Sequence, residues 1–341
     1  MISYILALIH AYLTSPTPQR RTITLGTRDS LLALAQTAIL ERHLAQHHPD
    51  VPVRLHSLKV VADKNASPLH LMPKAIWTEE LETLLISGEV DMIVHSLKDV
   101  PTTLPASCEL GSITAREDPR DALIIREGLP YTSLAELPAG SKIGTSSVRR
   151  MAQIKRAYPH LELIDLRGNI GTRCRKVDDE SLGYTGAILA VAGLKRLDMH
   201  GRIVEYLEAP TMLHAVSQGA VGVEIRDGDE EMLKLLEGLG CEATTKACLA
   251  ERSLLRTLEG GCSVPIGVQT KWVGEGELEM MAVVVSVDGE QLVEVTETAE
   301  VRDKVAAEEF GVMVAEKLVD QGARAILDTI TAKRATTEAE L

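Results

Sequence analysis

Two stretches of this chain share one local grammar, and that repetition limits the folds open to it. TITLGTRDS followed by LLALAQTAILERHL reads as a short β-rich run, a polar turn after Gly26, and a helix with apolar periodicity. Roughly 120 residues later SKIGTSSVRRMAQIKRAY repeats strand, Gly-Thr, polar turn and amphipathic helix. Two similar α/β units are therefore expected. Between them VDMIVHSL and ELGSITA have strand length, and the charged turn AREDPRD separates them from ALIIREGLP, which sets the first boundary near Glu117 to Arg120. In the second unit LELIDLRGN and TGAILAVAGL alternate with helices, the pattern of a largely parallel, doubly wound sheet. After Gly240 the register changes to a helix (TTKACLAERSLLRTL), a glycine-rich loop, two alternating strands joined at Asp288-Gly289, and a closing helix. The expected division is an extension over 1–21 without ordered structure, a first α/β unit over 22–117 with 218–239, a second over 118–217, a small α+β unit over 240–332, and a tail over 333–341.

Composition narrows the function classes. The 341 residues are 45% hydrophobic and 25% charged, which are globular values. Aromatics make up only 3%, with a single Phe, and the formal charge is −13, so neither base-stacking platforms nor a basic nucleic-acid face are at hand. Cys108, Cys174, Cys241, Cys248 and Cys262 form no Cys-x-x-Cys pair and no zinc-finger spacing, which argues against a disulfide framework or a structural metal and for a reducing, cytoplasmic setting. The N-terminal MISYILALIHAYLTSPTPQRR carries an apolar run of about thirteen residues, too short to span a bilayer and without the basic start of a secretory signal. A poorly ordered extension is expected there, with a cleaved organellar presequence as the alternative.

Polar residues crowd onto the ends of the expected strands. Gly26-Thr-Arg-Asp-Ser30 offers helix N-terminal amides and Arg28 to an anion; Gly144-Thr-Ser-Ser-Val-Arg-Arg150 repeats the device with Thr145, Ser146, Ser147, Arg149 and Arg150; Leu166-Arg-Gly-Asn-Ile-Gly-Thr-Arg173 adds Arg167 and Arg173. Any one of these arginines alone would read as a solvated surface charge. Their recurrence beside glycines in an acidic chain points instead to a small polyanionic ligand held in a cleft. Val94-His-Ser-Leu-Lys-Asp-Val-Pro-Thr102 runs an apolar strand into His95, Ser96, Lys98 and Asp99. Asp99 either makes a turn before Val-Pro or stabilises a cation developing on a substrate. In Leu258-Glu-Gly-Gly-Cys-Ser-Val-Pro-Ile-Gly267, Cys262 stands in a glycine loop, as a half-buried inert thiol or an exposed reactive one. A binding or sensor protein on the same scaffold would need the anion-binding turns but neither Cys262 nor Asp99.

HSLKDVPT, GTSSVRR, LRGNIGTR, GAVGVEIR and EGGCSVPIG, in this order and from about Thr22 to about Ile330, resemble the signature segments of the porphobilinogen deaminases, also called hydroxymethylbilane synthases; DPRDAL and KAIWTEELE lean toward the fungal members. The resemblance implies two doubly wound units with the fold of periplasmic binding proteins, hinged around a cleft, and a third that presents the cofactor into it. It implies a dipyrromethane cofactor joined to Cys262 by a thioether, Asp99 and Lys98 as catalytic groups, and no metal. Cofactor contacts would come from Lys98, Thr145, Ser146, Ser147, Arg149, Arg150, Arg167 and Arg173. Arg28, Ser30, Ser96 and the same four arginines would hold the carboxylates of porphobilinogen. The implied partner is that small molecule, with no nucleic acid and no membrane, in a monomer able to hand its product to a following enzyme. The chain departs from the family pattern at a shortened lid-like segment with Ala62 before Asp63, and at Ser217, where a glycine is common. Trp77 stands where an aromatic often covers the cofactor, and reads equally as a core residue.

Overall fold

In the computed structural model, residues 21–59, 78–258 and 264–339 are described. Strand β1 (Ile23–Arg28) is buried along almost its whole length and feeds helix α1 (Leu31–His47), whose first turn is closed by Ser30 Oγ accepting from the Ala33 amide at 3.2 Å. β2 (Val53–Leu58), α2 (Glu79–Ser87) and β3 (Met92–Ser96) follow, and β3 runs into one turn of 3-10 helix over Leu97–Asp99 before β4 (Cys108–Ile113). The chain then crosses to a second set of elements: β5 (Asp121–Ile125), β6 (Lys142–Gly144), α3 (Val148–Ala157), β7 (Glu162–Ile164), α4 (Ile170–Asp178), β8 (Gly186–Ala190), α5 (Val191–Arg196) and β9 (Ile203–Leu207). It returns through β10 (Val221–Arg226) and α6 (Glu230–Leu235), and ends with α7 (Glu242–Thr257), β11 (Ile266–Gly274), β12 (Glu277–Val285), β13 (Leu292–Glu300), α8 (Lys304–Asp320) and α9 (Ala323–Ala339).

Among the described residues the strands make two five-stranded sheets, β2-β1-β3-β10-β4 and β7-β6-β8-β5-β9, and one three-stranded sheet, β11-β12-β13. The expected two α/β units and small α+β unit are all present. Both large sheets follow one plan: a parallel trio (β2-β1-β3, β7-β6-β8) and then a reversed strand, β10 or β5, antiparallel to both of its neighbours. Four of the five strands in each sheet therefore run the same way, as the largely parallel reading expects, and the one reversed strand is what that reading did not include. The reversed strand of each sheet is the one that arrives straight from a crossover, so its direction is set by the passage between sheets and not by a local strand-helix-strand connection. The third sheet also holds β11, an extra strand beyond the two read from the sequence, antiparallel to β12.

Each unit has its own aliphatic core. In the third, Leu254, Val268, Met280, Val284, Phe310, Val314 and Leu318 pack α7 and α8 onto the sheet. The helices touch closely at Gly311, where an added Cβ would lie 2.1 Å from the Ala250 carbonyl oxygen. This unit is also tied to both crossovers. Glu251 of α7, fully buried, accepts from Arg116 Nη1 and Nη2 at 2.6 and 2.8 Å on the outgoing crossover and from the Ser217 amide at 2.7 Å on the returning one. Ser217 adopts a left-handed φ of 60°, which explains in backbone terms why a glycine suits that position. Two residues on, Gly219 lets the crossovers meet, since a Cβ there would lie 2.2 Å from the Glu117 carbonyl oxygen.

Candidate active site

The carboxyl end of β3 and the start of α1 enclose a pocket lined by Arg28, Ser30, Leu32, Ala33, Gln36, Thr78, Val94, His95, Ser96 and Asp99. β1 delivers Arg28 to this rim because its apolar run ends there, and Ser30 is fixed by its capping bond. Asp99 closes the 3-10 turn that β3 runs into, which brings its carboxylate to the same pocket as Arg28. Ser96 is held across the pocket by Gln36: Gln36 Nε2 donates to Ser96 Oγ at 2.7 Å, and the hydroxyl lies 3.1 Å from Gln36 Oε1. Gln36 was not singled out from the sequence. Its signal was a polar residue buried within the apolar run LLALAQTAIL.

The second unit contributes further cations, Arg149, Arg150, Arg167 and Arg173. Ser147 precedes α3, Thr145 Oγ1 accepts from the Ser147 amide at 3.2 Å, and Ser146 Oγ donates to the Leu166 carbonyl at 2.8 Å, so the hydroxyl turn is tied to the loop that carries Arg167. Arg149 and Arg150, in the first turn of α3, are each only 5% exposed, and both close on Asp121 at the start of β5. Arg149 Nη1 donates to Asp121 Oδ2 at 2.7 Å and to the Leu213 carbonyl at 2.6 Å; Arg150 Nε and Nη2 donate to Asp121 Oδ1 at 3.0 and 2.6 Å. Burial alone would raise the Asp121 carboxyl, but the two guanidinium groups override it and hold it well below the usual range. Asp121, which the sequence showed only as part of a charged turn, is the anchor of the arginine pair.

The two groups of residues share one electrostatic field. Lys98 is half-buried, and burial draws its ammonium down to about 8; Asp99 opposes that shift, while Arg150 and Arg149 add to it. Arg173, on α4, donates through Nε to the Gly168 carbonyl at 2.6 Å and is drawn to about 10 by burial and by Arg150, with Asp99 acting the other way. Arg167 pairs with Asp165 at 3.0 Å. Lys98 thus feels Asp99, Arg149 and Arg150, Arg173 feels Asp99 and Arg150, and Arg28, Ser30 and Ser96 line the pocket with Asp99. Cys262, Asp63 and Trp77 lie outside the described residues, as do the short lid-like segment and most of the N-terminal extension.

Several cations facing one carboxylate, with hydroxyls between them, suit a ligand that carries many carboxylates and passes through a cationic stage. Arg149 Nε fits the same demand, being buried with no hydrogen-bond partner among the described residues. Comparison with known proteins agrees with this chemistry. Residues 23–234 match the family model described as porphobilinogen deaminase, dipyromethane cofactor binding domain, and residues 245–320 match porphobilinogen deaminase, C-terminal domain. Among curated relatives, a porphobilinogen deaminase of Yarrowia lipolytica is 52% identical over 90% of this chain and 93% of its own length. One from Neurospora crassa is 48% identical over 93% and 96%, and one from Nostoc is 45% identical over 92% and 96%.

Proposed function

Because this chain belongs to the porphobilinogen deaminase family, we propose that it joins four porphobilinogen units head to tail on a covalently held dipyrromethane. Ammonia would leave at each addition, and hydrolysis would finally free the linear tetrapyrrole hydroxymethylbilane. The chain is a hydroxymethylbilane synthase, a transferase of tetrapyrrole biosynthesis whose family acts on porphobilinogen and binds dipyrromethane.

The residues of the second unit, with Lys98 of the first, suit that cofactor. Its acetate and propionate groups call for fixed cations and hydroxyls, which Lys98, Thr145, Ser146, Ser147, Arg149, Arg150, Arg167 and Arg173 provide, with Cys262 as the thioether anchor. When bound, the dipyrromethane supplies the pyrrole end that is extended. Arg28, Ser30 and Ser96 receive the carboxylates of the incoming porphobilinogen at the pocket rim. Loss of ammonia from its aminomethyl carbon leaves an azafulvenium cation, and the Asp99 carboxylate stabilises that charge and accepts the pyrrole N–H. Lys98, next to it, balances Asp99 and holds a ligand carboxylate.

The observation that carries this reading is the meeting of Asp99 with Arg28 in one pocket, in the field of Arg150 and Arg173 from the other unit. The proposed division is 22–117 with 218–239, 118–217 and 240–332, and it puts substrate pocket and arginine turns on different units. We take the protein to act as a cytoplasmic monomer that passes its product to a following enzyme. Among the described residues no helix is long and apolar enough to cross a membrane. Supplying porphobilinogen to the purified protein tests the reading: one ammonia per porphobilinogen and a linear tetrapyrrole are expected, and binding without ammonia release would favour a sensor on the same scaffold.

A further inference from the structure

Gln218 lies on the returning crossover and is 1% exposed. Its Oε1 accepts from Lys98 Nζ at 3.2 Å, while its Nε2 donates to Asp121 Oδ1 at 2.9 Å and to the Pro119 carbonyl at 2.7 Å. A primary amide presents an acceptor and donors on the same short fork, so it can bridge an ammonium and a carboxylate at once without adding charge. With opposite charges at its two ends, only one orientation of the amide satisfies both. We propose that Gln218 is a positioning residue for the reaction: it ties Lys98, on the turn that follows β3, to Asp121 on β5, and so sets the ammonium beside Asp99 in register with the arginine pair.

The inference rests on the functional reading above, while its geometry is that of the hydrogen bonds made by Gln218. Asp121 already holds Arg149 through Oδ2 and Arg150 through Oδ1, so the amide completes a continuous chain from Lys98 to both guanidinium groups. The charged groups that bear on Lys98 are Asp99 on its own turn, Asp121 on β5, and Arg149 and Arg150 on α3. Two of those, Arg149 and Arg150, are repulsive. The acceptor from Gln218 helps keep the ammonium in place against them. Two substitutions separate the possibilities. Gln218→Glu keeps the shape and the acceptor toward Lys98 but sets a carboxylate against Asp121; Gln218→Met keeps the volume and removes both bonds.

The test titrates Lys98 in the full-length holoenzyme by NMR of 13C-labelled lysine, with its resonance assigned by its absence in Lys98→Arg. Cofactor loading by intact mass, kcat and KM are followed across the same pH range. Gln218→Glu is expected to move the Lys98 midpoint upward by about one pH unit and Gln218→Met to move it downward, since a nearby negative charge favours the ammonium and loss of the acceptor disfavours it. The Met variant should lower kcat by roughly tenfold with a smaller change in KM. If one variant fails to fold, the other still decides by the direction of its shift. Midpoints unchanged in the folded variants, with thermal stability alone reduced, would make Gln218 a packing residue and overturn the proposal. Failure of the wild type to form a tetrapyrrole would count against the functional reading instead, and the Lys98 titration would still judge Gln218.

Discussion

Arg116 and Glu251 meet through two hydrogen bonds of 2.6 and 2.8 Å, and that pair joins the outgoing crossover to the third unit. Glu251 also takes the Ser217 amide and the Thr270 hydroxyl, so one carboxylate gathers both crossovers and β11. The passage between the two large sheets is therefore braced by the small unit.

Glu251→Gln should cost about 3–5 kcal/mol of stability, because it leaves the largely buried Arg116 guanidinium without its counter-charge. The pH dependence has a definite sign. Burial would raise the Glu251 carboxyl, but Arg116 draws it down to about 2, below its ordinary 4.5. Its contribution is then fully present above about pH 4.5 and is lost as pH falls toward 2, on the order of 3 kcal/mol in all. Urea unfolding of both proteins across that range checks this: the stability gap should narrow with acid, and a constant gap would remove Glu251 as the titrating group.

Ser217 offers a backbone test at the same junction. At φ 60° a glycine is at ease, so Ser217→Gly should stay within about 1 kcal/mol of wild type, relief of strain being offset by the freer unfolded chain. Ser217→Val should lose about 2 kcal/mol or more, because a β-branched residue is poorly tolerated in the left-handed region. Equal urea midpoints for Gly and Val variants would show that the backbone relaxes there.

The arginines should divide by what holds them. Arg149→His or Arg150→His breaks a buried contact with Asp121 as well as a carboxylate site, so such variants should be less stable by about 3 kcal/mol and should be recovered without cofactor. Arg167→Gln, at a partly exposed position, should keep stability and cofactor but stall elongation. Intact mass, unfolding midpoint and turnover for the three variants check this in one series, and identical loading throughout would contradict the clamp.

Asp99 separates binding from chemistry. Asp99→Asn keeps size and removes the charge proposed to stabilise the azafulvenium cation, so the chemical step should slow by roughly a thousandfold while substrate binding suffers less. Asp99→Glu retains charge on a longer arm and should keep more activity, with partly built chains accumulating on the protein. Wild-type single-turnover rates for both variants would return Asp99 to the turn role that its Val-Pro context permits.

What the sequence revealed was what it encodes locally. The two Gly-Thr turns and the strand that runs into the Lys98-Asp99 turn each depend on residues within a few positions, and these were legible, while the glycine loop around Cys262 lies outside the described residues. Gln36 with Ser96, 60 residues apart, and Gln218 with Asp121, 97 apart, could not be read, because their pairing is fixed by the crossovers and by the reversed strands β5 and β10. Asp121 stood in plain view in AREDPRD. Its partners come from the next helix of the unit and from the far crossover, so only the folded chain shows that it is an anchor and not a solvated turn.

The proposed function turns on one covalent bond, a dipyrromethane carried on Cys262 and extended by porphobilinogen. Intact mass of the purified protein, before and after brief exposure to porphobilinogen, tests it most directly, with Cys262→Ser and Cys241→Ser measured beside the wild type. Cys241 is the apt control, being partly exposed, with its thiol drawn down by hydrogen bonds from Thr244, whereas Cys108, Cys174 and Cys248 are buried. The wild type and Cys241→Ser should be heavier than the polypeptide by one dipyrromethane and should show a ladder spaced by one pyrrole unit, while Cys262→Ser should show the bare chain. A wild type that keeps the bare polypeptide mass after exposure to porphobilinogen, or a Cys262→Ser protein that loads and extends normally, would contradict the account.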